Sequence, residues 1–237
     1  MRKNKKGSAG RQAVVLLSGG LDSATTLYLA QKKGYRCFCL IFDYGQRHRK
    51  EIESARRIAR AANCNSQVLK IKLPWKGSAL LDRKISVSER SSAPALQCSS
   101  SIPNTYVPAR NIIFLSFALS YAEVIRAQAI FIGAHSQDYS GYPDCQPEFY
   151  QAFKRVIERG TKAGVEKIKI KIVTPLIHKT KAEIIRLGQR LGVPFALTWS
   201  CYQGGSVPCA RCDSCLFRRK GFKEAGLKDP LLEGTND

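Results

Sequence analysis

The sequence predicts an α/β fold, in which a five-stranded parallel sheet is covered by helices on both faces and followed by a C-terminal knob of four cysteines. Short apolar runs alternate with segments of helical periodicity along the 237-residue chain. Strands that are separated by helices form parallel sheets with both faces buried. The knob is predicted by the cluster of Cys201, Cys209, Cys212 and Cys215.

The strands are predicted from short apolar runs and the helices from apolar residues at helical spacing. Lysine and isoleucine alternate in the fifth strand, which is typical of an edge, and the helix at 111–127 is apolar almost all round, which predicts burial. Asp22 is able to cap the first helix, and Gly34 is placed to end it. Thr180 and Glu183 form a capping box for the last predicted helix. The predicted strands are 13–17, 36–42, 67–72, 129–133 and 167–172, and the helices are 23–33, 48–62, 111–127, 147–159 and 180–191.

The charge of the chain is extreme, because 39 basic and 18 acidic residues give a net charge of +21. This excess fits either an RNA-binding surface or an anionic small-molecule substrate. No apolar run approaches the roughly 20 residues of a membrane-spanning helix, and the basic N-terminus lacks the long apolar core of a signal peptide. We expect a cytoplasmic protein with no membrane partner.

A glycine-rich turn, Ser18-Gly19-Gly20-Leu21-Asp22-Ser23, directly follows the first predicted strand. The two glycines allow the backbone amides to approach an anion, with help from the dipole of the following helix. Ser18 and Ser23 add hydroxyl donors, whereas Asp22 either holds Mg²⁺ or caps the helix. The turn lacks the Gly-Lys-Ser/Thr of a P-loop. It therefore predicts a phosphate site of another kind.

Three loops that follow predicted strands should meet at one edge of the sheet, where ligands bind in such folds. They are the glycine-rich turn, residues 43–48 and residues 134–145. Asp43 and Gln46 are candidates for contacts with the ribose or adenine of a nucleotide. The only histidines, His48, His135 and His178, lie in or near the expected site, and His135 is the first candidate for carrying a proton.

The four clustered cysteines have the spacing C-x7-C-x2-C-x2-C. Four thiolates with C-x2-C turns suit tetrahedral Zn²⁺, and a site closed by four sulfurs is structural. Buried free cysteines, a redox pair and an iron–sulfur cluster are the alternatives. Arg211, Arg218, Arg219 and Lys220 around the knob could touch nucleic acid or be solvated.

The organisation expected from these features has four parts. A flexible basic arm covers 1–12, a nucleotide-binding domain covers 13–198, the zinc knob covers 199–226 and a flexible tail covers 227–237. Residues 74–104 interrupt the α/β pattern with serine, proline and charge. A segment of this length is a lid, a specificity or dimer-contact insertion, or a disordered tether.

The glycine-rich turn resembles the pyrophosphate-binding motif of the PP-loop ATP pyrophosphatases. Six blocks in order resemble one family of that group, the 7-cyano-7-deazaguanine synthases, over nearly all of residues 13–222. One departure is Ala210, where the family usually has glycine after its second zinc cysteine. The blocks are SGGLDS at Ser18, FDYGQRH at Phe42, YVPARN at Tyr106, GAHSQDYSGYPDCQPEF at Gly133, TPLIHKTKAEI at Thr174 and WSCYQGGSVPCARCDSC at Trp199.

The resemblance implies an adenine nucleotide alpha hydrolase-like fold and an ATP-dependent ligase that uses Mg²⁺ and one structural Zn²⁺ per chain. 7-Carboxy-7-deazaguanine would be adenylated and converted with ammonia to the amide and then to 7-cyano-7-deazaguanine, in queuosine biosynthesis. The resemblance also implies a homodimer. Residues 17–27 (Leu17, Ser18, Gly19, Gly20, Leu21, Asp22, Ser23, Ala24, Thr25, Thr26, Leu27) would contact the nucleotide.

Further site residues are expected with Asp22 and Ser23 in this reaction. Arg110 could pair with the substrate carboxylate or a phosphate, or be structural, while Lys179 and Lys181 could contact phosphate or begin a solvated helix. A tyrosine after the fourth strand could stack on the deazapurine, and an aspartate there could accept from its N–H groups. The candidates for the substrate are Asp138, Tyr139, Ser140, Gly141, Tyr142 and Asp144.

Two rival functions remain open at this point. A tRNA-modifying thiolase-like enzyme would suit the charge and the knob, but it commonly needs a C-x-x-C pair near the nucleotide, which the other cysteines do not offer. A non-catalytic zinc-knuckle RNA-binding module would leave the loops at the sheet edge unexplained. We therefore favour small-molecule chemistry and do not expect a nucleic-acid partner.

Overall fold

The computed structural model of the protein describes residues 10–87, 102–135 and 142–232. Its five strands form one parallel sheet in the order β3-β2-β1-β4-β5, which confirms the predicted fold class and the edge position of the fifth strand. The strands are β1 (Gln12–Leu16), β2 (Arg36–Asp43), β3 (Asn65–Lys70), β4 (Ala129–Phe131) and β5 (Lys171–Val173).

The helices connect these strands and cover the sheet. Within the described ranges, no helix is long and apolar enough to cross a membrane. Short 3-10 helices lie at Pro143–Cys145 and Phe195–Leu197. The α-helices are α1 (Leu21–Lys32), α2 (Lys50–Ala61), α3 (Arg110–Val124), α4 (Pro147–Gly160), α5 (Lys162–Val165), α6 (Lys181–Arg190) and α7 (Asp213–Ala225).

The central strand explains why both faces of the sheet are covered. In β1, Ala13 and Val15 belong to one apolar core, whereas Val14 and Leu16 belong to another. Helices α1, α2 and α6 bury their apolar residues in the first core, and α3 and α4 do so in the second. A strand that is buried on both faces is a continuous apolar run, as the sequence shows.

The predicted element boundaries differ from the observed ones in several places, including α1, β3 and β5. Helix α1 begins at Leu21, and Gly20 rather than Asp22 is its N-cap residue. Strand β3 begins two residues earlier than predicted. Strand β5 begins only at Lys171, because residues before it close helix α5: Lys167 has a φ of 58°, and the amide of Ile168 donates to the carbonyl of Ala163 at 2.8 Å.

The predicted end of α1 and the predicted capping box of α6 are both confirmed. Gly34 has a φ of 80° and follows the end of α1, where its amide donates to the carbonyl of Gln31 at 2.8 Å. The capping box of α6 is present, since the Glu183 carboxylate accepts from the Thr180 amide at 2.8 Å and the Thr180 hydroxyl accepts from the Glu183 amide at 3.3 Å.

Helix α3 is not buried all round, in contrast to its prediction. Leu115 and Ala118 are in the core, but the side chains of Ile112, Phe117 and Val124 are exposed. The sheet covers only one side of the helix. The rest of its apolar surface therefore faces away from the described part of the chain.

The described part of the 74–104 insertion packs on the body of the protein. Ser78, Ala79 and Leu80 are buried, and the Ala79 amide donates to the carbonyl of Asn104 at 2.8 Å. Val87 packs with Ala79 against the cysteine knob. Residues 74–87 and 102–104 are therefore attached segments of the fold.

Residues 227–232 pack against the body, unlike the flexible tail that the sequence predicted there. Asp229 is buried and forms a two-pronged ion pair with Arg218, at 2.7 Å to Nε and 2.8 Å to Nη2. Arg218 also donates to the Thr198 hydroxyl at 2.7 Å. Arg218 was expected to be solvated or to touch nucleic acid, and it is instead a buried link between α7, the preceding loop and the C-terminal segment.

Substitution Asp229→Asn should lower the free energy of unfolding by about 3–5 kcal/mol, because it leaves the buried Arg218 cation without its counter-charge. Urea unfolding of the metal-loaded protein measures the change. Glu224→Gln is the matched control, because Glu224 pairs with Lys220 at 3.7 Å on the surface. This substitution should lower the free energy of unfolding by less than about 1 kcal/mol. Equal losses in both variants would contradict this account of Arg218.

Candidate active site

The loops at the carboxyl ends of β1, β2 and β4 surround one cavity of about 280 Å³. Ser18, Tyr44, Gln46, His135 and Tyr142 all line it. The predicted meeting of the three loops is therefore confirmed. Asp43 and His178 do not line the cavity, and His48 packs near Trp199, with ring centroids 6.5 Å apart.

The glycine-rich turn depends on close packing at Gly19. Gly19 has a φ of 85°, and a Cβ there would lie 2.3 Å from the carbonyl oxygen of Glu51, so only glycine fits. The Ser23 hydroxyl donates to the carbonyl of Gly20 at 3.0 Å and accepts from the Ser18 amide at 3.2 Å. Ser23 thus shapes the turn with its hydroxyl hydrogen, instead of presenting it to a ligand.

Only the first part of the predicted nucleotide segment reaches the cavity. Ser18, Gly20, Leu21, Asp22 and Ser23 line it, together with Leu17. Residues 24–27 lie inside α1, are buried and are absent from the cavity wall. Their role is to anchor the start of α1 in the core.

The carboxylate of Asp22 is held by two residues from distant parts of the chain. Lys181 Nζ lies 3.0 Å and 2.9 Å from its two oxygens, and His135 Nε2 lies 3.3 Å from Oδ2. Lys181 Nζ is also 2.9 Å from His135 Nε2. Burial alone would raise the pKa of Asp22, but the Lys181 and His135 charges and hydrogen bonds hold that pKa far below its usual range.

This arrangement bears on the sequence expectations for Asp22, Lys181 and His135. Asp22 is not the helix cap, and an ammonium group already occupies both of its oxygens. Lys181 is not part of a solvated helix start, because its side chain is only 12% exposed. His135 is buried and contacts Lys181, so its Nε2 is positioned by the same cluster.

Arg110 lines the cavity at the start of α3. Its Nη1 donates to the Tyr44 hydroxyl at 3.3 Å, and burial raises the pKa of Tyr44 so that the phenol stays neutral. Ala109, just before it, adopts a left-handed conformation with a φ of 55°, which turns the chain into the helix. A guanidinium has five N–H donors, so Arg110 retains donors for an anionic ligand.

The predicted substrate loop is only partly within the described ranges. Asp138, Tyr139, Ser140 and Gly141 lie outside the described residues. Tyr142 lines the cavity, and its hydroxyl lies 2.5 Å from that of Thr105.

Asp144 differs from its prediction as a substrate contact. It is buried, does not line the cavity, and its Oδ2 accepts from the amide of Asn111 at 3.2 Å. Its backbone carbonyl accepts from the Asn111 side chain at 3.0 Å and from the Tyr150 hydroxyl at 3.1 Å. The residue therefore fixes the first turn of α3.

The cavity residues that sequence reasoning missed include Glu51, Trp199 and Tyr202. Glu51 lies in the first turn of α2, and burial raises its pKa to about 7 although Arg110 opposes the rise. The sequence did contain a signal for Glu51, because this acidic residue closely follows the FDYGQRH block and directly precedes the apolar Ile52, which is in the core. Trp199 and Tyr202 belong to the cysteine segment, which was treated as a separate knob.

The four clustered cysteines form a compact site that could hold a metal ion. The sulfurs of Cys201, Cys209, Cys212 and Cys215 all lie within 4.8 Å of one another. The amide of Cys209 donates to Cys201 Sγ at 3.3 Å, and the amide of Cys212 donates to Cys209 Sγ at 3.3 Å. Such hydrogen bonds stabilise thiolates, and four thiolates are a suitable donor set for Zn²⁺.

The knob also supports the glycine-rich turn. The amide of Trp199 donates to the carbonyl of Gly19 at 2.9 Å, and the Trp199 indole donates to the carbonyl of Cys201 at 2.9 Å. Lys50 Nζ lies 4.4 Å from the centre of the Trp199 ring. The cysteine site is thus connected to the glycine-rich turn through Trp199.

Most of the sequence matches a known protein family. The family model described as "Queuosine biosynthesis protein QueC" matches residues 12–226, and the chain belongs to that family. The chain is 54% identical to the 7-cyano-7-deazaguanine synthase of Nostoc sp. over 93% of this chain and 96% of that protein. It is 53% identical to the synthase of Acetivibrio thermocellus, over 93% and 97%.

Among solved structures, the chain is similar to NMN synthetase from Francisella tularensis. The two share 15% identity and a TM-score of 0.48, over 93% of this chain and 89% of that one. The chain is also similar to a 4-thiouridine synthetase, with 19% identity and a TM-score of 0.48, over 91% of this chain and 50% of that one.

Ala210, which stands where the family usually has glycine, has a φ of 60°, a backbone conformation that is strained for alanine. Substitution Ala210→Gly should raise the free energy of unfolding by about 0.5–1 kcal/mol, because glycine adopts this conformation without steric cost. Ala152→Gly, the same change at an exposed position in α4, should instead lower it by about 0.5–1 kcal/mol. Thermal unfolding of both variants tests whether the stability changes have opposite signs. A loss of stability in both variants would contradict the interpretation of Ala210.

Proposed function

We propose that the protein is an ATP-dependent ligase that converts 7-carboxy-7-deazaguanine and ammonia to 7-cyano-7-deazaguanine, in queuosine biosynthesis. The observation that carries the proposal is the identity of 53–54%, over 93% of the chain, to proteins named 7-cyano-7-deazaguanine synthase. The cavity supports it, since a phosphate turn, two cations and aromatic residues line one space.

In the proposed first half-reaction, a carboxylate oxygen of the substrate attacks the α-phosphorus of ATP, and pyrophosphate leaves. The amides of residues 18–23 hold the phosphates, while Lys181 and Arg110 offset negative charge that develops in the transition state. Ammonia then attacks the acyl carbon and displaces AMP, which leaves the amide. Mg²⁺ would accompany ATP and supply further charge stabilisation.

In the second half-reaction, the amide oxygen attacks the α-phosphorus of a second ATP, and pyrophosphate leaves. Loss of AMP and of the two nitrogen-bound hydrogens as protons then gives the nitrile. Two ATP are therefore converted to two AMP and two pyrophosphates per nitrile. An acyl-adenylate is destroyed by water. The walls formed by Trp199 and Tyr202 from the knob and by Leu80 from the insertion restrict access of water to the cavity.

We also propose that the four cysteines hold one structural Zn²⁺ and that the protein is a cytoplasmic homodimer. Four thiolates without a free ligand position are typical of structural zinc, and such thiols persist in a reducing compartment. The exposed apolar side chains Ile112, Phe117 and Val124 on α3 support a contact between two copies.

The thiolase-like and RNA-binding alternatives are not favoured. Of the described cysteines outside the knob, Cys145 lines the cavity, and burial raises its pKa to about 12, which keeps the thiol protonated and weakly nucleophilic. Cys37 and Cys39 are buried in β2 instead. RNA binding alone does not explain why Asp22, His135 and Lys181 form a cluster in the cavity.

The proposal predicts that the protein, incubated with ATP, Mg²⁺, ammonia and 7-carboxy-7-deazaguanine, forms the nitrile and two AMP for each nitrile, as mass spectrometry would measure. Asp22→Asn should lower AMP formation at least about 100-fold, because Lys181 and His135 lose the anion that positions them. Turnover on tRNA without any change in the deazapurine would refute the proposed function. Undiminished AMP release by Asp22→Asn would refute the role of the cluster alone.

The metal proposal predicts one zinc per chain by elemental analysis. Cys212→Ser should lose this zinc and lower the melting temperature, with activity lost as a consequence, because the thiolates hold the knob against the phosphate turn. Cys64→Ser, a cysteine outside the knob, is the control and should keep the zinc. Full zinc occupancy in Cys212→Ser would contradict the four-cysteine site.

A further inference from the structure

Glu51 is a carboxyl group in the cavity that no cation holds. Of the described acidic residues, Asp22 and Glu51 line the cavity, and Asp22 is already bound by Lys181 and His135. Glu51 forms no hydrogen bond or ion pair through its side chain with any residue in the described ranges. Its carboxyl oxygens therefore retain their full capacity to accept hydrogen bonds from a ligand.

The backbone holds Glu51 firmly in this position. The carbonyl of Glu51 packs against Gly19, where a Cβ would lie only 2.3 Å away, and the neighbouring Ile52 is buried in the core. A rigid, partly buried carboxyl without a partner lowers the stability of the folded protein. A group of this kind is commonly retained because a ligand uses it.

Arg110 lies on the wall of the same cavity and carries the opposite charge. The Arg110 charge opposes the rise in the pKa of Glu51, and the described residues show no salt bridge between the two side chains. The cavity therefore presents an acceptor and a cationic donor that are separated by space. This arrangement fits a flat ligand with N–H donors at one edge and an anionic group at another.

We propose that Glu51 recognises the 2-aminopyrimidinone edge of the deazaguanine, accepting hydrogen bonds from the ring N1–H and from the exocyclic amino group. This inference rests on the proposed function. The ligand's carboxylate lies toward Arg110 and the phosphate turn, where adenylation takes place. Asp144, which the sequence suggested for this recognition, is occupied by the amide of Asn111 and does not line the cavity.

The test compares wild type with Glu51→Gln, which keeps the shape but loses the carboxylate. The probes are 7-carboxy-7-deazaguanine and its analogue without the 2-amino group. Wild type should bind the amino compound about 10- to 100-fold more tightly than the analogue, because a two-pronged contact to a carboxylate is lost in the analogue. Glu51→Gln should bind both compounds with nearly equal, weak affinity.

Kinetics give a second readout that a merely structural role would not produce. Glu51→Gln should raise the KM for 7-carboxy-7-deazaguanine about 10- to 100-fold, while the KM for ATP stays within about twofold. Glu53→Gln, an exposed glutamate on the same helical turn, should leave all constants unchanged. The melting temperature of ligand-free Glu51→Gln should equal or exceed that of wild type, since a desolvated charge is removed.

Two outcomes would overturn the inference. Undiminished preference for the amino compound in Glu51→Gln would assign this edge to another group, of which Asp138 is a candidate. A melting temperature several degrees below wild type would assign Glu51 a structural role. Failure of the proposed function is distinguishable from both, because the wild-type protein itself would then neither bind 7-carboxy-7-deazaguanine nor form the nitrile.

Discussion

The ion pair between Asp22 and Lys181 is the interaction on which the site depends. It joins the first turn of α1 to the first turn of α6, and His135 adds the end of β4. Gly133 makes this approach possible, since a Cβ there would lie 2.9 Å from the amide nitrogen of Ser23. Without the pair, the Asp22 carboxylate would repel the phosphates that we propose the glycine-rich turn binds.

The cysteine knob is part of the site as well as an appendage to the fold. Trp199 and Tyr202 form part of the cavity wall, and the Trp199 amide is bonded to the carbonyl of Gly19. If the cysteines hold a metal as proposed, its loss would release the glycine-rich turn on one side. A structural metal can in this way control activity without any contact with the reacting atoms.

The charges of this protein act in two ways, through the net charge of the whole chain and through individual side chains in the cavity. The net charge of +21 favours the approach of anionic substrates from solution. Inside the cavity, individual pairings matter more: Asp22 is neutralised by Lys181, whereas Glu51 and Arg110 remain separate. In the proposed reaction, the first pairing supports phosphate chemistry, and the separation of Glu51 from Arg110 provides a means to orient a polar, flat substrate.

The sequence alone determined the sheet, the glycine-rich turn, the capping box of α6 and the cysteine site, because each depends on a local pattern or a short spacing. It also placed Arg110 and His135 at the correct edge. Only the tertiary structure decided that Asp22 pairs with Lys181, that Asp144 fixes α3 and that Glu51 lines the cavity. Those contacts join residues far apart in the chain, and their geometry follows from how the helices pack on the sheet, which no local pattern encodes.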